Sequence, residues 1–173
     1  MEVLEAIKGR RSVRAFKEQS VTDQTIEKLI EAATWAPSAG NVQPWEFVIV
    51  KNPETKRKLS EAAFNQSFLE QAPILIIVCA NETKSAQRYG KRGATLYCIQ
   101  DTAAAIQNIH LTAFSMGLGT CWIGAFEETE VGDILRVPSG IRPFAIIPVG
   151  YPDENPAPRR RRAFGEIVHS EAF

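Results

Sequence analysis

The sequence predicts an α+β sandwich, in which one mainly antiparallel or mixed β-sheet carries helices on both faces. Three observations predict it. Ile74 to Ala80 is an unbroken apolar run rich in β-branched residues, the pattern of a strand covered on both sides. Strand-like runs are separated by helix-like ones, as in layered sandwiches. From about Ala94 to Met116, Ile99, Ala103, Ile106, Ile109 and Ala113 spread a broad apolar surface along one helix, which implies a central, mostly buried element. The 173 residues suit a single domain, 1–173, with a substantial core and no internal repeat.

Each element has a local cause. Val3, Leu4 and Ile7 give a short helix that stops at Gly9. The next helix starts at Thr22, whose hydroxyl suits an N-cap, with Asp23 placed to complement the helix dipole. Its buried stripe is Ile26, Leu29, Ile30 and Ala33, and Pro37 ends it. Glu46 to Val50 reads as a strand. Asn52 then caps a third helix that opens on Pro53 and carries Leu59, Ala63 and Phe64. Residues 82–93 are charged and polar, include Gly90 and Gly93, and are expected to form a mobile surface segment. Gly119 to Ile123 is a short strand, and Val131, Ile134 and Leu135 mark another helix. Phe144 to Val149 is the last core strand, with Pro148 expected to end its pairing. From Tyr151 onward Pro152, Pro156 and Pro158 impose an extended path, and Ile167 and Val168 return as a small apolar pair. Residues 151–173 therefore read as an arm that docks on its own domain or on a partner subunit.

Bulk properties exclude several function classes. Lys and Arg number 20 and Asp and Glu number 20, so the chain lacks the net cationic field that nucleic-acid binding by counterion release requires. Thr102 to Phe126 carries no charged residue apart from a titratable His110, yet Gly117, Gly119 and several amides and hydroxyls interrupt it, so no membrane span is expected. Cys79, Cys98 and Cys121 are odd in number, widely spaced and set in apolar runs, as for buried free thiols in a reducing cytoplasm. The N-terminal residues have no apolar signal core, which points to the same compartment.

Against that neutral background two arginine clusters stand out. Gly9-Arg10-Arg11-Ser12-Val13-Arg14 follows the first helix, and Arg159 to Arg162 lie in the arm. Two cation clusters in a neutral chain suit a discrete anion such as one phosphate, which the planar guanidinium grips and a serine hydroxyl supplements. Solvated surface charge is the plain alternative. Ala36-Pro37-Ser38-Ala39-Gly40-Asn41-Val42-Gln43-Pro44-Trp45 is a helix-to-strand loop dense in small residues and amides. Small residues let a flat ligand approach the backbone, and amides supply paired donors and acceptors; a rigid turn with Trp45 in the core would look the same. In Gly119-Thr120-Cys121-Trp122-Ile123-Gly124-Ala125-Phe126 a strand ends on Gly-Ala. That either exposes backbone N–H groups to the edge of a heterocycle or simply marks a strand end with a turn glycine.

Taken in chain order, these three stretches, the Gln100-Asp101-Thr102-Ala103-Ala104-Ala105 helix start and the arm arginines followed by Glu166-Ile167-Val168-His169 resemble the flavin-dependent nitroreductase family over essentially the whole chain. The resemblance implies FMN bound at the interface of an intertwined homodimer with an extended C-terminal arm. It implies that Arg10 and Ser12, with Arg11 beside them, hold the FMN phosphate and ribityl chain. Arg14 would lie near the N1/O2 edge of the flavin, where a cation favours the anionic reduced form. Asn65 would bond the pyrimidine side of the ring. Pro37, Ser38, Ala39 and Asn41 would contact the flavin from the partner subunit, and Trp122, Ile123, Gly124 and Ala125 would lie beside N5. Arg159 and Arg161 would return to the phosphate, in a register open by one residue because four arginines are consecutive. Phe68 stands where some relatives carry a lysine near the flavin, and Gly124 where some carry an acidic residue beside N5.

The implied reaction is ping-pong. NAD(P)H gives hydride to flavin N5, and a small-molecule acceptor such as a nitro compound or quinone then takes it from the same face. No protein nucleophile, general base or metal is required, in keeping with a chain of two histidines that shows no hydrolase triad, metal-ligand spacing or P-loop. His110 is expected as a hydrogen-bonded core residue. Larger relatives build a substrate lid from inserted helices; here only residues 82–93, with Tyr89, Lys91 and Arg92, are placed to cover the open flavin face. A specialised relative of the flavin destructase or dehalogenase type and a flavin-binding protein without turnover are the competing expectations.

Overall fold

A computed structural model describes residues 1–173. Its centre is an antiparallel sheet of four strands in the order β1-β2-β4-β3, with β1 Trp45–Val50, β2 Ile74–Asn81, β3 Gly119–Thr120 and β4 Ile141–Gly150. The two-residue alternation of a strand sorts the apolar runs onto two faces. Ile74, Ile76 and Val78 join Ala145, Ile147 and Val149 on one face, while Leu75, Ile77 and Cys79 join Ile146 on the other. The first face packs against α2 (Asp23–Thr34) and α6 (Cys98–Ser115) through Leu29, Ala33, Ile106 and Ile109. The second packs against α3 (Pro53–Ala62), α4 (Phe68–Gln71) and α7 (Glu128–Leu135) through Leu59, Leu69 and Val131. The sheet is thus covered on both faces, as the unbroken apolar run of β2 requires.

The caps lie where the sequence places them. Thr22 Oγ1 accepts from the Thr25 N–H at 3.2 Å, and Asn52 Oδ1 from the Thr55 N–H at 3.0 Å, with Pro53 opening α3. Asn52→Ala should therefore destabilise the fold by about 1 kcal/mol, seen as a lower urea midpoint at unchanged slope.

α3 ends at Ala62, leaving Ala63 and Phe64 outside it, and β3 covers only Gly119–Thr120 of the expected Gly119–Ile123 strand. Two further segments differ more from expectation. Residues Glu82–Arg92 form a helix, α5, rather than an irregular surface segment. It lacks an apolar stripe because polar contacts hold it. Asn81 Oδ1 caps it, accepting from the Lys84 N–H at 2.9 Å; Lys84 Nζ donates to the Gln43 carbonyl at 3.1 Å and Arg88 Nη1 to the Gly40 carbonyl at 2.8 Å. Gly90, at φ 56°, breaks the helix, and a π-helical turn over Gly93–Tyr97 leads into α6. Pro148, expected to end the pairing of β4, sits inside it, since Val149 and Gly150 still pair with Thr120 and Gly119. Ile146 exchanges both backbone hydrogen bonds with Ile123, at 3.0 Å each. Two residues on, Pro148 faces the same side, where no β3 residue pairs with it, so its missing N–H leaves no gap in the pairing with β2.

All three cysteines are free and buried, and burial pushes the Cys79 thiol up to about 11. No helix is long and apolar enough to cross a membrane.

Candidate functional site

The chain leaves α1 (Val3–Gly9) at a tight place. A Cβ on Gly9 would overlap the Phe114 ring of α6, so a larger residue could end α1 here only if that ring moved. Arg11 turns back and caps the helix: its Nη1 donates to the carbonyls of Lys8 at 2.6 Å, Gly9 at 3.1 Å and Arg10 at 2.8 Å. Residues 12–17 are then zipped between two other segments. The Val13 N–H donates to the Thr120 carbonyl at 2.9 Å. The Lys17 N–H donates to the Tyr151 carbonyl and the Asp153 N–H to the Ala15 carbonyl, both at 2.9 Å. One carboxylate oxygen of Glu154 accepts from the backbone N–H groups of both Arg14 and Ala15, the latter at 3.1 Å.

Beyond Glu154 the arm folds back. Arg159 and Arg161 face Arg10, Arg11, Ser12 and Arg14 across a cleft of about 300 Å³. No carboxylate lines this cleft, and none of the chain's ion pairs involves Arg10, Arg14, Arg159 or Arg161. Arg162 instead pairs with Glu166 at 3.8 Å, in a neighbouring hollow lined also by Arg160 and Arg161. Arg11 lines the cleft too, but its Nη1 is committed to α1 and its Nε is buried without a protein partner.

Cys121 follows Thr120, which bridges to Ser12 in the cleft wall. Burial pushes the Cys121 thiol up, against the pull of the Arg14 charge and of the Ser12 hydroxyl. His110 is buried behind Thr120, with Nδ1 2.7 Å from Thr120 Oγ1 and its ring stacked on Trp122 at 6.1 Å. Burial, and secondarily the Arg10 charge, push His110 down to about 4, so it is neutral near pH 7. Ile123 anchors the segment through its buried side chain and its paired bonds to Ile146, while Trp122, Gly124 and Ala125 are exposed. Gln66 Nε2 donates to the carbonyls of Ala125 at 3.2 Å and Ala63 at 2.9 Å, which docks the 63–66 turn here. In that turn Phe64 and Asn65 take φ values of 59° and 58°, a left-handed conformation that is strained for residues other than glycine and recurs at functional sites. Phe68 is half-buried against the core.

The loop after α2 is held elsewhere on the same chain. Asp101, at the start of α6, accepts from the Ala39 N–H at 3.0 Å, while Lys84 and Arg88 of α5 hold Gln43 and Gly40. Asp101 lies nine residues before His110, about 13.5 Å of helix rise away and half a turn round. Burial raises the Asp101 carboxyl, and its second oxygen, Oδ2, is buried without a partner. Asn41 and Gln43 also take left-handed φ values, 57° and 53°. Trp45 is buried at the head of β1.

The structure therefore brings Arg10, Arg11, Ser12, Arg14, Arg159 and Arg161 to one cleft. It runs Trp122, Ile123, Gly124 and Ala125 on from Thr120, whose carbonyl accepts from the Val13 N–H, with Asn65 one residue from the Gln66–Ala125 contact. It holds Pro37, Ser38, Ala39 and Asn41 near the opposite end of α6. Glu154, Gln66, Lys84 and Arg88 were not singled out by the sequence; a lone charged or amide side chain carries no pattern to mark it.

The nitroreductase family model matches residues 7–68 and 62–151. A protein of Methanothermobacter thermautotrophicus, provisionally named an NADH dehydrogenase/NAD(P)H nitroreductase, is 39% identical over 163 residues, covering 92% of this chain and 82% of its own. A crystal structure from Parabacteroides distasonis under the same provisional name superposes with a TM-score of 0.88 at 32% identity, covering 99% of this chain and 98% of that one. The NADPH:FMN oxidoreductase of Vibrio harveyi, solved with NAD+, gives a TM-score of 0.91 at 28% identity, covering 99% of this chain and 77% of its own.

Proposed function

We infer the activity from one premise: the chain belongs to the nitroreductase family. It is an FMN-dependent oxidoreductase that draws reducing equivalents from NAD(P)H, in line with the names of its relatives. The observation that carries this assignment is the arginine cleft. It offers guanidinium and hydroxyl donors, no carboxylate, and four arginines without ion-pair partners, a donor set that fits the FMN phosphate.

FMN, when bound, supplies the hydride chemistry, passing it from NAD(P)H to a nitro compound, quinone or similar acceptor by ping-pong turnover. The chain's residues bind and orient. Arg10, Ser12, Arg159 and Arg161 hold the phosphate end. Arg14 places a positive charge by the ring's pyrimidine edge, and Asn65 adds an amide there. The exposed backbone at Gly124 and Ala125 gives the ring a polar edge to lie along, on the side that Trp122 and the neutral His110 support. Pro37, Ser38, Ala39 and Asn41, held away from the cleft of their own chain, serve the cofactor of the partner subunit in a homodimer of single-domain chains.

The purified protein should be yellow, bleach anaerobically with NADH or NADPH, and regain colour with a nitroaromatic or quinone. Bound flavin that neither nucleotide reduces would leave a flavin-binding protein, and a chain that takes up no FMN would overturn both ideas. The dimer carries its own expected result. Phe164, Ile167 and Val168 are 77%, 53% and 46% exposed on their own chain, and Val3, Leu4 and Ile7 of α1 are exposed as well. Each such side chain contributes about 1.5–3 kcal/mol when fully buried, so a partner surface is the economical place for them. Sedimentation should show a dimer at micromolar concentration and a monomer once residues 164–173 are removed. A folded full-length monomer at that concentration refutes the dimer.

A further inference from the structure

We propose that Glu154 is a positioning residue, the staple that turns the arm back so that Arg159 and Arg161 meet Arg10 at the phosphate cleft; this rests on the FMN assignment above. The arm cannot set its own direction. Pro152, Pro156 and Pro158 keep it extended, and from residue 155 to residue 162 none of its backbone N–H groups bonds to the body of the chain. What aims it is its root, where Tyr151 and Asp153 pair with Lys17 and Ala15 and the Glu154 carboxylate grips two adjacent N–H groups.

Glu154 is the last of these tethers before the arginines. Its bonds to backbone N–H groups are charge-assisted, hence stronger than the neutral pairs beside them. One of its two donors belongs to Arg14, itself a wall of the cleft, so a single carboxylate fixes one wall and launches the other. The carboxylate lies in a smaller adjoining cavity with Arg10, Thr120 and Pro156 and does not line the arginine cleft, so it leaves the guanidiniums free for an anion. No residue pattern in the sequence marks this position; the staple exists only because residues 14 and 154 meet.

The test measures FMN and riboflavin affinity side by side, since riboflavin lacks the phosphate. Glu154→Ala should weaken FMN about tenfold or more and riboflavin far less, since riboflavin keeps only the Arg14 contact at the ring. Glu154→Gln, whose amide oxygen still accepts from both N–H groups, should recover most of the loss. Arg159→Ala with Arg161→Ala should cost about tenfold or more in the native chain but less than about twofold when added to Glu154→Ala, because arginines that no longer reach the cleft have nothing left to lose. Trypsin should cut the arm faster in Glu154→Ala than in the native chain or in Glu154→Gln. FMN affinity unaffected by Glu154→Ala, equal losses for FMN and riboflavin, independent losses in the combined variant, or unchanged cleavage would each overturn the proposal. A native chain that binds no FMN would overturn the cofactor assignment instead.

Discussion

Arg10→Ala should weaken FMN binding by about 1.5–3 kcal/mol, roughly 10- to 150-fold, and leave riboflavin binding unchanged. Arg10 is half-buried in the cleft wall and has no acidic partner, so its guanidinium is available to a phosphate. Removing it deletes a charge-assisted hydrogen bond and leaves the anion partly desolvated beside an empty wall, the costlier half of the loss. The neighbouring arginine supplies a contrast. Arg11 spans three carbonyls at the end of α1, so Arg11→Ala should lower stability along with binding, whereas Arg10→Ala should not. Fluorescence titration at constant ionic strength checks both, since salt screens partly exposed charges. An unchanged FMN titration in Arg10→Ala counts against the phosphate site.

The parts of the molecule that burial dictates could be read from the sequence. The Ile74–Ala80 run, the Ile26-Leu29-Ala33 stripe and the caps Thr22 and Asn52 each express a local rule, and the fold obeys it. α5 escaped because its order comes from polar contacts across the fold, Lys84 to Gln43 and Arg88 to Gly40, which leave no periodic trace. Pro148 misled for a related reason: whether a proline breaks a ladder depends on which neighbour its missing N–H would face, and that needs the third strand. The arginine clusters were conspicuous as chemistry, yet only the fold shows that they share a cleft and that Arg159 and Arg161, not Arg160 and Arg162, line it. Arg161 lies between the two hollows and lines both, while Arg160 and Arg162 line only the one with Glu166.

Acid should unfold this protein through His110. Its pKa is about 4 in the fold against an ordinary 6.5. Between those values the unfolded chain binds a proton that the native chain refuses, so stability is complete above pH 6.5 and drains away as pH falls toward 4. A shift of this size corresponds to roughly 3 kcal/mol. Asp101 acts in the opposite sense, because burial raises its carboxyl and its protonation favours the fold as pH falls. Glu128, held low by its hydrogen bonds to Arg142, begins to give up its contribution as pH falls through the ordinary glutamate value. His110→Asn isolates the histidine: it keeps a polar atom near Thr120 Oγ1 and cannot take up the proton. Urea unfolding at a series of pH values should show a steep loss in the native chain that His110→Asn lacks, and parallel profiles would sink the assignment. Burial is the larger cause of the low pKa, but the second is Arg10, the residue proposed to grip the phosphate. Neutralising that charge, by bound FMN or by Arg10→Ala, should let the His110 pKa climb back part of the way and narrow the acid-sensitive window. Arg10→Ala should therefore bind FMN more weakly than the native chain and yet withstand acid better.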